Sequence, residues 1–389
     1  LERLKAPALR QLLILSLVVF FIMFPRLLFA PLLEPIREDL VLSKAEATRF
    51  FLFISLGYTV SILLSGFVSK RITHRYTILI ALLGVGTSIA AISFFRTPFL
   101  IYAALTFCGL STGLYPPSGL SSVTGLVPRK QSGTAIAIHE LGPNFAFFFA
   151  PFIAGILLGP LNWRSLLLLS GLSCYIMAGI FFTFSKAGKF SGEPPKARNI
   201  LPIVREPSFW AAVCLMVLSV AASQGIFSIL PTFLNTERNL ELSLVNRLIG
   251  LSRISGLAVV LISGYLGDKF GIAKLALILC IFSAVFTILL GVSEGFLLIL
   301  SVFMQPMLIM AFFPLNMSVV SQTGPRYSRN IAISIAIPIA FLLGSGVYPI
   351  IMGNLAEQGK FSLGFIILGI ALLVSLFILP FLNIRQKED

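Results

Sequence analysis

Apolar residues in this chain are grouped in long blocks separated by short polar breaks. Runs such as Leu12–Phe24 and Leu275–Leu290 are almost wholly hydrophobic on every face, whereas a half-buried strand alternates residue by residue. Twelve such blocks follow one another, at Gln11–Glu34, Glu46–Ser69, Tyr76–Phe95, Pro98–Leu126, Gly133–Gly159, Arg164–Phe184, Ser208–Leu234, Ser243–Gly267, Ile272–Val292, Gly295–Gln322, Asn330–Met352 and Phe361–Ile384. Each has about 20 residues or more, enough to cross a hydrocarbon core of about 30 Å as a helix. A transmembrane barrel needs alternating segments of about ten residues, and the blocks do not alternate. The pattern predicts an all-α integral membrane protein with twelve transmembrane helices.

Composition narrows the class. Of the 389 residues, 57% are hydrophobic and 11% charged, against about 25% charged in soluble domains. Soluble enzymes and nucleic-acid binders are excluded. The net charge of +14 is explained by its placement: with both termini cytoplasmic, nineteen Lys and Arg lie on the inner side and eight on the outer, as the positive-inside rule requires. The expected setting is the inner (plasma) membrane, multi-pass, with the lipid bilayer as partner, no nucleic acid, and a monomeric chain. The first block has full spanning length and no small-residue cleavage site after it, so it reads as a retained helix. Cys108, Cys174, Cys214 and Cys280 all fall inside predicted spans without ligand spacing and read as apolar fillers.

The longest break, Ser185 to Pro207, holds Gly188, Gly192, Pro194 and Pro195 among several lysines and reads as a cytoplasmic linker. It divides the chain into a six-helix bundle at 1–184, the linker at 185–207 and a second six-helix bundle at 208–389. A shift of 197 or 198 residues aligns Gly66 with Gly264, Pro128-Arg129 with Pro325-Arg326 and Ala135-Ile136 with Ala332-Ile333. Two parallel copies of an even number of helices imply a pseudo-twofold axis along the membrane normal.

The segment Gly264-Tyr-Leu-Gly-Asp268-Lys269-Phe-Gly271 closely resembles the G-x-x-x-D-[RK]-x-G loop of the major facilitator superfamily. The corresponding first-half loop, Gly66 to Arg75, keeps the glycine and the basic residues but has Lys70 in place of the aspartate and Thr73 in place of the second glycine. The resemblance implies two bundles that alternate access to a site near the bilayer midplane, with Asp268 and Lys269 as a gating latch.

Candidate chemistry lies where ionisable groups fall well inside spans, each at a cost of at least about 2.5 kcal/mol unless paired or facing water. These are Arg26, His139, Glu140 and Arg253. The two arginines come from opposite halves, and guanidinium forks across the central seam suit carboxylate or phosphate oxygens. Glu140 is the carboxylate deep inside a span and the candidate proton-coupling residue. His139, about 100° round the helix, is expected to face another way and to donate to substrate, relay a proton or pack. Tyr58, Tyr115, Gln224, Gln305, Asn316 and Tyr348 lie on helices that line the cavity in the family, and two or three of them are expected to touch substrate. A basic residue on the first helix with an arginine on the eighth looks most like transporters of monocarboxylates and related small organic anions, although Ile249 stands where that branch has an aspartate. Organophosphate and phosphate exchangers, which resemble the Arg26 and His139 positions, and drug-proton antiporters are the alternatives, with a ligand-sensing receptor as a different class. No nucleotide-binding loop, metal cluster or nucleophile–base pair is visible. The expectation is a transporter with no enzymatic activity and no cofactor or metal, whose partners are a small anion and protons.

Overall fold

The structure, a computed structural model, describes residues 6–193, 201–270, 272–322 and 329–381. Among them the secondary structure is helical throughout: α1 Ala6–Leu27, α2 Phe29–Asp39, α3 Lys44–Ile92, α4 Pro98–Thr124, α5 Ser132–Leu157, α6 Trp163–Phe184, α7 Leu201–Val204, α8 Pro207–Val220, α9 Ile226–Thr236, α10 Leu242–Phe270, α11 Ile272–Val292, α12 Gly295–Gln322, α13 Arg329–Phe341, α14 Tyr348–Glu357 and α15 Phe361–Val374. Eight helical stretches among the described residues are long and apolar enough to cross a membrane, and the apolar stretches Leu277–Val292 and Gly295–Ala311 lie within α11 and α12. α1 and α2 run on as one stretch through Leu28, whose backbone is itself helical. Two turns of π-helix, Ala221–Gly225 and Leu342–Val347, join α8 to α9 and α13 to α14.

The chain divides into two compact units: Leu1–Val41 with Phe53–Pro195, and Leu42–Leu52 with Lys196–Asp389. In the first, α1 packs against α5 and α6. The approach of α1 to α5 is set by Gly142, where an added Cβ would collide with the Ser16 carbonyl. Starts are marked chemically: Pro98 opens α4, and the Asn162 side chain accepts a hydrogen bond from the Ser165 amide at 2.8 Å to cap α6, satisfying one of the donors that every helix leaves open at its first turn.

The predicted linker does not begin as a free tether. Its first residues are strapped to the first unit by backbone hydrogen bonds from His74 N to Phe190 O at 3.1 Å, Arg75 N to Gly188 O at 2.7 Å and Gly192 N to Ser69 O at 3.1 Å. Gln11 Oε1 accepts from Ser185 Oγ at 3.0 Å and Lys186 N at 2.8 Å. Arg75 donates to the carbonyls of Ser185 and Phe182.

In the second unit, Ala332, Ala336 and Ala340 recur at every fourth position of α13, so they share one face. Phe209, Val213 and Met216 of α8 lie in the same buried cluster, where that smooth stripe lets the two helices approach closely. The segment Leu42–Leu52 is held here by Lys44 Nζ to Glu237 Oε1 at 3.5 Å, Lys44 Nζ to Thr236 Oγ1 at 3.3 Å and Ala45 N to Glu357 Oε1 at 2.9 Å.

α3 is two helical arms joined at Thr73, whose φ of 72° and ψ of 161° lie outside the helical region. This is the position where the signature loop has its second glycine. A threonine there keeps the turn but carries strain of about 1–3 kcal/mol. Thr73→Gly should therefore stabilise the protein by about 1 kcal/mol after allowing for the extra chain entropy of glycine, read as a rise of a few degrees in the apparent unfolding temperature in detergent. A lowered unfolding temperature would show that the β-branched side chain supports the turn.

Candidate functional site

In the first unit, Arg26 stands in the last turn of α1, directly after Pro25. It is buried, and its guanidinium carbon lies 5.7 Å from the centre of the Tyr58 ring on α3, within the range of a cation–π contact. Pro25 has no N–H, so the Phe21 carbonyl lacks its intrahelical donor. Cys174 on α6 takes that place, its S–H donating to Phe21 O at 3.1 Å. A cysteine that reads as filler thus holds the helix at the bend that presents Arg26.

The same device recurs on α5. Pro143 leaves the carbonyl of His139 without its usual donor, and Ser16 Oγ donates to it at 3.4 Å. The buried His139 ring places Nε2 at 2.8 Å from Tyr115 Oη and Nδ1 at 3.2 Å from Glu140 Oε1. Tyr115 Oη donates to the Leu15 carbonyl at 3.1 Å. His139 and Glu140 face apart, one buried and one exposed, yet the Glu140 carboxylate reaches the edge of the ring. The side chain of Glu140 is 54% exposed and that of His139 is 7% exposed, so the chain of groups runs from an accessible carboxylate to a sealed hydroxyl.

Proton positions follow from donor counting. When Tyr115 gives its proton to Leu15 O, it must accept one from His139 Nε2, and the contact between Nδ1 and Glu140 then needs a second proton, on either partner. When Tyr115 turns its proton to Nε2, Nδ1 donates to an ionised Glu140. The two hydroxyl orientations satisfy the same contacts with proton totals that differ by one.

In the second unit, Arg253 lies buried on α10 with its guanidinium carbon 4.7 Å from the centre of the Phe227 ring. Phe227 follows the π-helical turn Ala221–Gly225, which contains Gln224. Gln305 is buried on α12 and donates to the Ala222 carbonyl of that turn at 2.8 Å. The two π-helical turns touch: a Cβ on Gly225 would strike the Gly344 carbonyl at 2.5 Å and the Tyr348 ring at 2.7 Å. Tyr348 begins α14 and points its hydroxyl at the Gly364 carbonyl at 3.4 Å. π-helical turns are costly and cluster at functional sites. Asn246, fully buried on α10 seven residues before Arg253, escaped the sequence reading; its spacing of two turns from an intramembrane arginine was the signal available. The side chains of Asn316, Asp268 and Lys269 lie outside the described residues. Among the described residues no three His, Cys, Asp or Glu side chains come together as metal ligands.

Comparison with known proteins agrees with this architecture. The profile of the Major Facilitator Superfamily matches residues 15–337, and the chain belongs to that superfamily: it is a multi-pass membrane transporter and not an enzyme. Solved structures that share its fold include the following three. A bacterial homolog of the human lysosomal transporter Spinster superposes with a TM-score of 0.81 at 14% identity, covering 99% of this chain and 100% of that one. A D-xylose-proton symporter gives 0.78 at 15% identity over 96% and 97% of the two chains. A POT family transporter in complex with 5-aminolevulinic acid gives 0.80 at 14% identity over 97% of each.

Tyr115→Phe tests the hydrogen-bonded chain. It leaves His139 Nε2 and the Leu15 carbonyl without the phenol, and should lower stability by about 1–2 kcal/mol, measured by thermal unfolding in detergent. An unchanged unfolding temperature would mean that the three groups are not coupled.

Proposed function

We propose that this protein is a proton-coupled secondary transporter that moves a small organic anion across the inner membrane by alternating access, as a monomer with both termini in the cytoplasm. The observation that carries the reading is that each unit buries one arginine inside a span and faces its guanidinium with an aromatic ring, Arg26 with Tyr58 and Arg253 with Phe227. A guanidinium in such a place is expensive, and its planar fork suits the two oxygens of a carboxylate. The structures of the same fold include a proton symporter and a transporter holding 5-aminolevulinic acid, and both features support the reading.

Glu140, His139 and Tyr115 are the proton-handling groups in this proposal. The alternative, an organophosphate or phosphate antiporter, would use His139 as a phosphate donor. Both of its ring nitrogens already face protein partners, which favours the proton role. A drug-proton antiporter for cations is disfavoured by the two buried positive charges. Gln224, Asn316 and Tyr348 are proposed as further substrate contacts, with Asp268 and Lys269 as the gating loop.

Replacing Arg253 by Lys keeps the charge and loses the fork. Binding of small carboxylates should weaken by roughly tenfold or more, equivalent to ~1.4 kcal/mol, with the fold intact. Ligand-induced thermal shift across a panel of carboxylates, phosphates and cationic drugs measures this and identifies the substrate class. Unchanged affinity would make Arg253 structural.

For coupling, Glu140→Gln fixes the neutral form of the side chain. In proteoliposomes the variant should still exchange internal for external substrate and fail to accumulate it against a gradient, because the empty carrier can no longer release and regain a proton. Wild-type accumulation would remove Glu140 from the coupling. Joint loss of both modes with lowered thermal stability would make it a structural partner of His139.

A further inference from the structure

The first span continues past the end of its apolar block. α2 carries Leu32, Leu33, Glu34 and Ile36 into the interior of the first unit, and the Glu34 side chain is only 4% exposed. The sequence reading ended the span at Glu34 and passed over it. Arg37, one turn on, directs two N–H groups at the same carboxylate oxygen: Nε donates to Glu34 Oε1 at 2.7 Å, and a terminal nitrogen reaches that oxygen as well. The other oxygen, Oε2, is sealed from solvent and accepts no hydrogen bond from any described residue.

This is an unequal arrangement for a carboxylate. A buried acceptor without a donor costs about 1–3 kcal/mol, and more when it is charged, yet two donors are spent on Oε1. Arg37 is 26% exposed and stands between Glu34 and the outlying Glu38, which is 68% exposed and 3.8 Å from the same guanidinium. On the helices that pack against α2, the ionisable groups have partners of their own. On α1, Arg26 faces Tyr58. The second half of α5, from Phe145 to Leu157, carries no charged residue. On α6, Arg164 is bound to Asp39 at 2.7 Å and to the carbonyls of Ser93 and Phe95, and Tyr175 bonds Thr87 at 2.8 Å.

We propose that Glu34 is a second proton-binding site of this transporter, taking a proton on Oε2 while Arg37 transfers from Glu34 to Glu38. The proton comes from the medium and forms an O–H bond at Oε2, Glu34 loses its negative charge, and Arg37 stays positive with Glu38 as its carboxylate partner. The step turns the guanidinium from one carboxylate to another that already lies 3.8 Å from it, and leaves a neutral carboxyl in the span. Its use as a coupling or entry site rests on the proton-coupled reading above, whereas the binding of the proton does not.

Infrared difference spectroscopy of the reconstituted protein, recorded between alkaline and acid media, reads the neutral carboxyl group directly and needs no substrate. In a Glu140→Gln background, the carboxyl C=O absorption that grows on acidification, to which the other acids of the chain contribute, should contain a component that disappears when Glu34→Gln is added. An identical band with and without Glu34 would overturn the proposal. If Glu34→Gln fails to fold, the exposed Glu38→Gln variant decides: with no outer partner Arg37 stays on Glu34, so the band should need a more acid medium, and an unshifted titration would overturn the transfer. Failure of the wild-type protein to accumulate substrate with a proton gradient would count against proton coupling alone, because the carboxyl band is read separately.

Discussion

A backbone carbonyl that loses its N–H partner inside hydrocarbon has no water to turn to, and each such group costs several kcal/mol. The packing of this protein is organised around meeting that demand. Pro25 frees the Phe21 carbonyl and Cys174 on α6 supplies an S–H. Pro143 frees the His139 carbonyl and Ser16 on α1 supplies an O–H. The π-helical turn at Ala221–Gly225 breaks the regular ladder, and Gln305 on α12 supplies an amide N–H to Ala222. Each of these three donors comes from a neighbouring helix, so each of these breaks also ties its helix to another. The breaks occur where Arg26, His139 and Phe227 are presented, which ties the polar chemistry to the most constrained parts of the backbone.

Both buried arginines use the same solution to a charge in an apolar span, the face of an aromatic ring. A ring stabilises a cation without neutralising it. The His139 chain is complementary in character. It contains one exposed carboxylate, one buried imidazole and one phenol in direct sequence.

The spans were legible because a block of twenty apolar residues has few structural outcomes, whereas the break in α3 at Thr73 was not read from the sequence, which showed only a threonine where the signature loop has its second glycine. The irregularities were not legible. Neither Ala-Ala-Ser-Gln-Gly at 221–225 nor Leu-Leu-Gly-Ser-Gly-Val at 342–347 announces a π-helical turn, since the same residues fit an α-helix and the choice is made by tertiary contacts such as Gly225 against Gly344. Arg26, His139, Glu140 and Arg253 stood out because charge is rare in such spans. Glu34 did not, because the hydropathy pattern ends a span at its first acid and cannot see that helix and burial both continue to Ile36. The meeting of His139 with Glu140 was missed for a different reason: helical angles describe where Cβ atoms point, and a glutamate side chain is long enough to override them.

The strap formed by residues 185–192 has a bearing on how chains of this kind can vary. Three backbone hydrogen bonds, the Gln11 side chain and the Arg75 guanidinium lock its register against the turn at Thr73. An insertion or deletion of a single residue between Ser185 and Gly192 would put at least one of those bonds out of phase and lift Phe190 off the buried His74 ring, 4.8 Å away. Connections usually tolerate length changes because they are exposed and weakly bonded. Here the start of the connection is inherited as part of the first unit, and drift in its length must be accommodated after residue 192.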